Sequence, residues 1–187
     1  FPDATTIRMD IDTVTKKNSH EDILNSFKKD GIDILIGTQM VVKGHDFPNV
    51  TLVGILAADL SLNVGDFRAA ERTYQLLAQA AGRAGRGDKP GDVVLQTYQP
   101  EHYSIVAAAK QDYMGFYQQE LIQRQILQYP PVSNILGVLV LSEDLRHVRE
   151  LSEGLAEQMR QYEQVVVLGP APAALAKAKD VHRYIIY

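Results

Sequence analysis

The sequence predicts an α/β fold: a mostly parallel sheet with flanking helices, followed by a partial α+β domain. Three observations carry this expectation. Short continuous apolar runs at 33–37 (DILIG) and 51–57 (TLVGILA) suit central parallel strands covered on both faces. Helical patterns alternate with such runs through the first hundred residues, which implies right-handed crossovers in an open sheet. From residue 101 the chain turns to helices rich in Gln and Tyr, and from about 132 to a strand, a helix and further strands. The expected domains are therefore 1–100, a helical connector at 101–131, and 132–187.

Taken in order, 6–12 (TIRMDID) alternates well enough for a strand. A helix follows in NSHEDILNSFKKDG: Asn18 or Ser19 caps it, and Glu21 and Asp22 favour its first turn. Lys28 and Lys29 suit its last turn, Ile23, Leu24 and Phe27 form its buried side, and Gly31 stops it. After the two apolar strands comes a long amphipathic helix, 66–87, with Asp66 as N-cap. Phe67, Ala70, Tyr74, Leu77 and Ala81 form its apolar face, whereas Arg72, Gln75, Gln79, Gly82, Arg83 and Arg86 form a polar one. Residues 92–98 (DVVLQTY) read as the next strand. EHYSIVAAAKQ and DYMGFYQQELIQRQILQ read as two helices, stopped at Tyr129-Pro130-Pro131. The strand expected at 134–141 leads into a helix from Ser142 and Glu143 to about Tyr162, with Leu145, Val148, Leu151, Leu155 and Met159 on its apolar side. VVVLG is expected as a strand, GPAPA as a rigid turn, and HRYIIY as a last strand; this order resembles half of a ferredoxin-like sandwich.

Composition bounds the function. With 187 residues, 45% hydrophobic and 22% charged, the chain has the profile of an ordinary soluble globular sequence. No apolar run is long enough to span a bilayer, so no membrane partner is expected. Zero cysteines exclude disulfides and thiolate zinc sites, which fits a reducing, cytoplasmic setting. A net charge of −4 argues against a uniformly basic nucleic-acid coat but leaves room for local patches. The first residue is Phe1 rather than Met, and we expect a piece of a longer chain.

Two stretches carry chemistry. In the first, Gly82, Gly85 and Gly87 each destabilise a helix by about 1 kcal/mol relative to Ala. Arg83 and Arg86 stand between them, so bare backbone flanks two fixed forks of donors, as close approach to a phosphate chain requires. The same residues also read as a helix end, with arginine offsetting the dipole and glycine capping. In the second stretch, Thr38 and Gln39 leave the carboxyl end of a predicted strand, where α/β sheets place ligands. Lys43 adds charge beside Gly44, and Asp46 is suited to accept from sugar hydroxyls; a surface loop with a Lys-Gly turn is the other reading. His45 reads as a loop residue, and no residue set here has metal-ligand spacing.

The spacing Gln79, Gly82, Arg83, Arg86 resembles motif VI, the arginine-finger motif in the second motor lobe of superfamily 2 helicases. More specifically, GTQMVVKGHDFPNVTLVGILAADL, DFRAAERTYQLLAQAAGRAGRG and GDVVLQTY resemble motifs V and VI of the primosomal replication-restart helicases of the PriA type. The likeness extends to FPDATTIRMDID upstream and to LQYPP and LGPAPA downstream, and so covers essentially the whole chain. The resemblance implies a RecA-like motor lobe 2 and part of a C-terminal domain. It implies Arg86 as the main finger on the γ-phosphate of ATP, Arg83 beside it, and Gln79 linking nucleotide state to lobe closure. Gly44 and Asp46 would approach the nucleotide ribose, while Thr38, Gln39 and Lys43 would hold a DNA strand by its phosphates. Arg68 and Arg72 read as structural ion-pair residues and Tyr74 as core. ATP with Mg²⁺ would be held mainly by a first lobe upstream, since the chain has no Gly-x-x-x-x-Gly-Lys-Ser/Thr loop. Zinc would belong to an upstream cysteine-rich insertion.

The implied parent is an ATP-dependent 3′ to 5′ DNA helicase at stalled or recombined forks, with primosome and single-strand-binding proteins as partners. Near the end, AKAKDVHRYIIY departs from the family's arginine- and tyrosine-rich finish. Alternatives are a non-catalytic docking module, lobe 2 of a RecG-like translocase, and a metabolic α/β enzyme using the arginines for a phosphorylated substrate. The last lacks a general base near them.

Overall fold

The computed structural model describes residues 1–10, 19–29, 31–38, 41, 47, 49–85 and 90–187, which form two compact units, Phe1–Gln123 and Arg124–Tyr187. In the first unit, β1 (Thr6–Met9) and β2 (Ile34–Gly37) pair in parallel, from Thr6 opposite Ile34 to Met9 opposite Gly37. Helix α1 (Ser19–Lys29) lies between them in sequence and packs Leu24, Ile23 and Phe27 onto Met9 and Phe47. Asp33 ties the two strands at their start: its carboxylate accepts from the Thr5 N–H and hydroxyl, both at 2.9 Å. These bonds favour the ionised form and lower its pKa, the backbone N–H having the larger effect.

A second parallel pair joins β3 (Leu52–Ile55) to β4 (Asp92–Leu95), from Leu52 opposite Asp92 to Ile55 opposite Leu95. Among the described residues the two pairs form separate two-stranded sheets rather than one open sheet. The expectation of strands covered on both faces, made for β2 and β3, also fails: Ile36 on β2 and Leu52 on β3 are exposed, and β4 is likewise one-sided. Ile55 and Leu95 pack on a helical core, while the alternate residues Leu52 and Val94 are exposed.

That core is built by α2 (Ala69–Ala81), α3 (Tyr103–Lys110) and α4 (Tyr113–Leu127). Tyr74 lies flat against Phe116, with ring centroids 4.3 Å apart and planes 11° from parallel. Leu77, Ile105, Ala107 and Ala108 close around them, the small residues admitting close helix packing. His102 caps α3 by accepting from the Ser104 N–H, and its burial pushes the imidazole pKa below the usual value. The buried face of α2 is Ala69, Thr73, Tyr74, Leu77 and Ala80, rotated from the expected one, so Phe67, Ala70 and Ala81 are only half-buried. Thr73 tolerates burial because its hydroxyl donates to the Ala69 carbonyl at 2.8 Å and meets the Ser61 hydroxyl at 2.7 Å.

The second unit contains β5 (Val138–Ser142), α5 (Leu145–Arg160), β6 (Ala171–Ala178) and β7 (Val181–Ile186), with an antiparallel sheet in the order β5-β7-β6. Helix α5 starts later than expected because Asp144 is its cap, accepting from the N–H groups of Arg146 and His147 at 2.7 and 3.1 Å. It buries Val148, Ser152 and Ala156 against Val140, Tyr184 and Ile186; Leu145 and Leu151, expected on its apolar side, are exposed.

Two further expectations are corrected. Residues 165–169 (VVVLG) form no strand, although Leu168 and Tyr187 exchange backbone hydrogen bonds of 2.7 and 2.9 Å. The supposed rigid turn GPAPA instead runs into β6 at Ala171. Ala and Pro are poor strand formers, but β6 is an edge strand, where Pro172 takes no donor from an interior ladder.

Candidate functional site

The polar stripe of α2 and the turn that follows it form the candidate site. Asp66 does not cap α2 as expected; it accepts from the Arg68 N–H at 2.9 Å, and Arg68 stands at the helix cap. The Asp66 carboxylate also meets Arg72 at 2.8 Å and Arg68 at 3.7 Å, so these two arginines form the expected ion pairs. The Arg68 N–H, and then the charges of Arg72 and Arg68, hold the Asp66 pKa below the usual carboxylate value. Farther along the same side, Gln75 donates to Glu71 at 3.1 Å, and Gln79 is exposed.

Helix α2 stops at Ala81, short of the expected end at 87. The N–H groups of Arg83 and Ala84 reach back only three residues, to Ala80 and Ala81, which tightens the chain into a turn. Gly85 then turns at a φ of +68°, and a Cβ there would lie 2.8 Å from the Gly91 nitrogen. Its N–H donates to the Val50 carbonyl at 3.1 Å, while that of Asp92 donates to Thr51 at 2.8 Å. The turn is thereby closed onto the amino ends of β3 and β4. Val50 also packs on the cluster of Met9, Leu24 and Phe47, so it joins the Gly85 turn to the first strand pair.

The glycines of this segment consequently differ in kind. Gly85 is required by its own backbone and by the close crossing of Gly91. Gly82 is not: its φ is −68°, and among the described residues a Cβ would meet nothing closer than the Ala78 carbonyl oxygen at 3.4 Å. Arg83, next to it, is half-buried.

Of the other sequence-predicted site residues, Thr38 is exposed just past the carboxyl end of β2. Gln39, Lys43, Gly44, Asp46 and Arg86 lie outside the described residues, as does His45. Among the described residues no group of His, Cys, Asp or Glu is arranged to hold a metal ion, and no helix is long and apolar enough to cross a membrane.

Sequence reasoning missed a polar clamp at the other end of the strand pair. Asp59, itself buried, accepts from the Thr97 hydroxyl at 2.8 Å and the Tyr98 N–H at 3.0 Å. These two bonds, the hydroxyl first, lower its pKa. The partners are 38 residues apart, so no local pattern announces them.

Comparison with known proteins follows the same two-unit division. The helicase conserved C-terminal domain matches residues 6–88, and the primosomal protein N C-terminal domain matches 125–187. The chain is 46% identical over 186 residues to the replication restart protein PriA of Bacillus subtilis (strain 168), covering 98% of this chain and 23% of that protein. It is 42% identical to the protein of the same name from Synechocystis sp., over 98% of this chain and 22% of that protein. For Chlamydia pneumoniae the identity is 39%, over 98% of this chain and 25% of the relative. The chain thus spans about a quarter of the length of these relatives.

Proposed function

We infer the function from one premise: the chain belongs to the PriA family of replication restart proteins, in which it joins a helicase conserved C-terminal domain to the family's own C-terminal domain. The function proposed is that of the second motor lobe and part of the C-terminal domain of an ATP-dependent 3′ to 5′ DNA helicase. That helicase would act in the cytoplasm at stalled or recombined forks and restart replication with primosome and single-strand-binding proteins.

The observation that carries this reading is Gly82. Among the described residues nothing would lie closer than 3.4 Å to a Cβ at this position, yet the sequence has bare backbone immediately before Arg83. Gly82 is also the C-cap of α2; beyond that role, we read its bare backbone as room for a phosphate chain beside an arginine fork, which match in charge and shape. Arg83 and Arg86 would hold the terminal phosphate of the nucleotide and balance charge that builds up on it. Gln79, exposed one turn earlier, would sense its presence. ATP with Mg²⁺, bound mainly by a first lobe, supplies the phosphoryl transfer that drives movement. Gly44 and Asp46 would contact the ribose. Thr38, Gln39 and Lys43 would grip the DNA backbone, a contact independent of base sequence and weakened by salt. Zinc does not fit this chain, which has no cysteine, and we assign none to it.

The test is ATP turnover by the complete protein with and without forked DNA. An arginine finger contributes about 10³- to 10⁵-fold in rate, so Arg86→Ala should abolish DNA-stimulated hydrolysis while nucleotide binding persists. Hydrolysis that survives the substitution refutes the finger. A complete protein that binds DNA but never hydrolyses ATP would instead be a docking module.

A further inference from the structure

We propose that Tyr98 is a base-stacking residue for single-stranded nucleic acid, held ready by the Asp59 clamp at the carboxyl ends of β3 and β4. The proposal rests on the motor reading above for the identity of the ligand, and on the following geometry for the residue.

The backbone around Tyr98 is held at every step. The Gln96 N–H donates to the Ile55 carbonyl and the Ala58 N–H to the Gln96 carbonyl, both at 2.9 Å. The Thr97 hydroxyl and the Tyr98 N–H both donate to one Asp59 carboxylate oxygen, and the Gln99 N–H donates to the Thr97 hydroxyl at 3.0 Å. On the facing segment, Ala57 takes a φ of +49°, a left-handed conformation that non-glycine residues rarely adopt. Among the described residues, none gives the side chain of Tyr98 comparable support. It is 87% exposed and stacks on no other described ring.

A rigid backbone presenting an unsupported aromatic ring is what a π-faced ligand needs. The ring has only two torsions to order, and little entropy is lost when something stacks on it. Leu56 and Leu60, 79% and 69% exposed, flank the same clamp in sequence and add apolar surface beside the ring. One exposed ring is enough for a nucleobase to stack on, and such stacking is tolerant of base sequence. The carboxyl ends of parallel strands are also where α/β sheets bind ligands. The Gly82–Gly85 turn closes on the opposite, amino ends of β3 and β4 through the Gly85 and Asp92 N–H groups. Base contact and phosphate contact would then occupy the two ends of one strand pair.

The experiment uses the complete protein as wild type, Tyr98→Ala and Tyr98→Phe, with a single-stranded oligonucleotide carrying 2-aminopurine, at one fixed salt concentration. Stacking on an aromatic ring is sequence-tolerant, and its loss should weaken binding about tenfold in Tyr98→Ala and remove the fluorescence quenching seen with wild type. Tyr98→Phe should retain both, and the melting temperature without DNA should be the same for all three. Wild-type affinity in Tyr98→Ala overturns the proposal, as does an equal defect in Tyr98→Phe. So does a fall of several degrees in the melting temperature of Tyr98→Ala without DNA, since the ring would then be packed against another part of the protein. A wild-type protein that binds no DNA overturns both this proposal and the motor reading.

Discussion

The two ends of the β3–β4 pair are fixed by different physics. At the amino ends the chain is held by backbone against backbone: Gly85 and Gly91 cross so closely that neither has room for a Cβ. At the carboxyl ends it is held by one carboxylate, Asp59, gathering two donors from the loop after β4. Each end presents a side chain, Arg83 at one and Tyr98 at the other. A steric joint responds to volume and is indifferent to pH. An electrostatic joint tolerates changes of volume but needs its charge. Substitutions at the two ends should therefore fail in different ways.

The largest effect on stability is expected at the steric joint. Gly85→Ala forces a left-handed conformation on a residue with a Cβ and drives that Cβ into the Gly91 backbone, together about 3 kcal/mol. Thermal melting of the complete protein measures it; an unchanged melting temperature would mean that the crossing with Gly91 can relax.

The electrostatic joint should yield to acid. Asp59 has a folded pKa below its usual value, so its contribution is present above 3.8 and is lost as pH falls through the folded value. Asp59→Asn keeps the shape but should remove that part of the acid dependence, seen as a smaller loss of stability between neutral and acid pH. Equal acid profiles for the two proteins would show that the clamp does not depend on charge.

The smallest effect on stability is expected at Gly82. Alanine fits there at a helix end, so Gly82→Ala should melt within about 1 kcal/mol of wild type. In the complete protein the same substitution should lower DNA-stimulated ATP turnover. Normal turnover would show that the bare backbone at Gly82 serves nothing.

Much of this molecule follows from local sequence. The strand at β2, helices α1, α3 and α4, and the stop before Tyr129-Pro130-Pro131 follow from apolar runs, capping chemistry and periodicity within a few residues. The spacing of Gln79, Gly82, Arg83 and Arg86 was legible for the same reason, since a motif on one short segment is written in order along the chain.

What tertiary structure alone decided involves partners far apart. Which face of α2 is buried was set by Phe116, more than forty residues from Tyr74, so Thr73 and Ala80 replaced Phe67 and Ala81. The helix ends at Ala81 because Gly85 must bond to Val50 and pass Gly91, a constraint that the helical periodicity does not contain. β6 is a strand against its alanine and proline content because β7 supplies an edge for it. The Asp59 clamp joins residues 38 positions apart. Local preferences decide which elements form, because their energies depend on neighbours in sequence. Register, burial and clamps depend on neighbours in space, and only the folded chain brings those together.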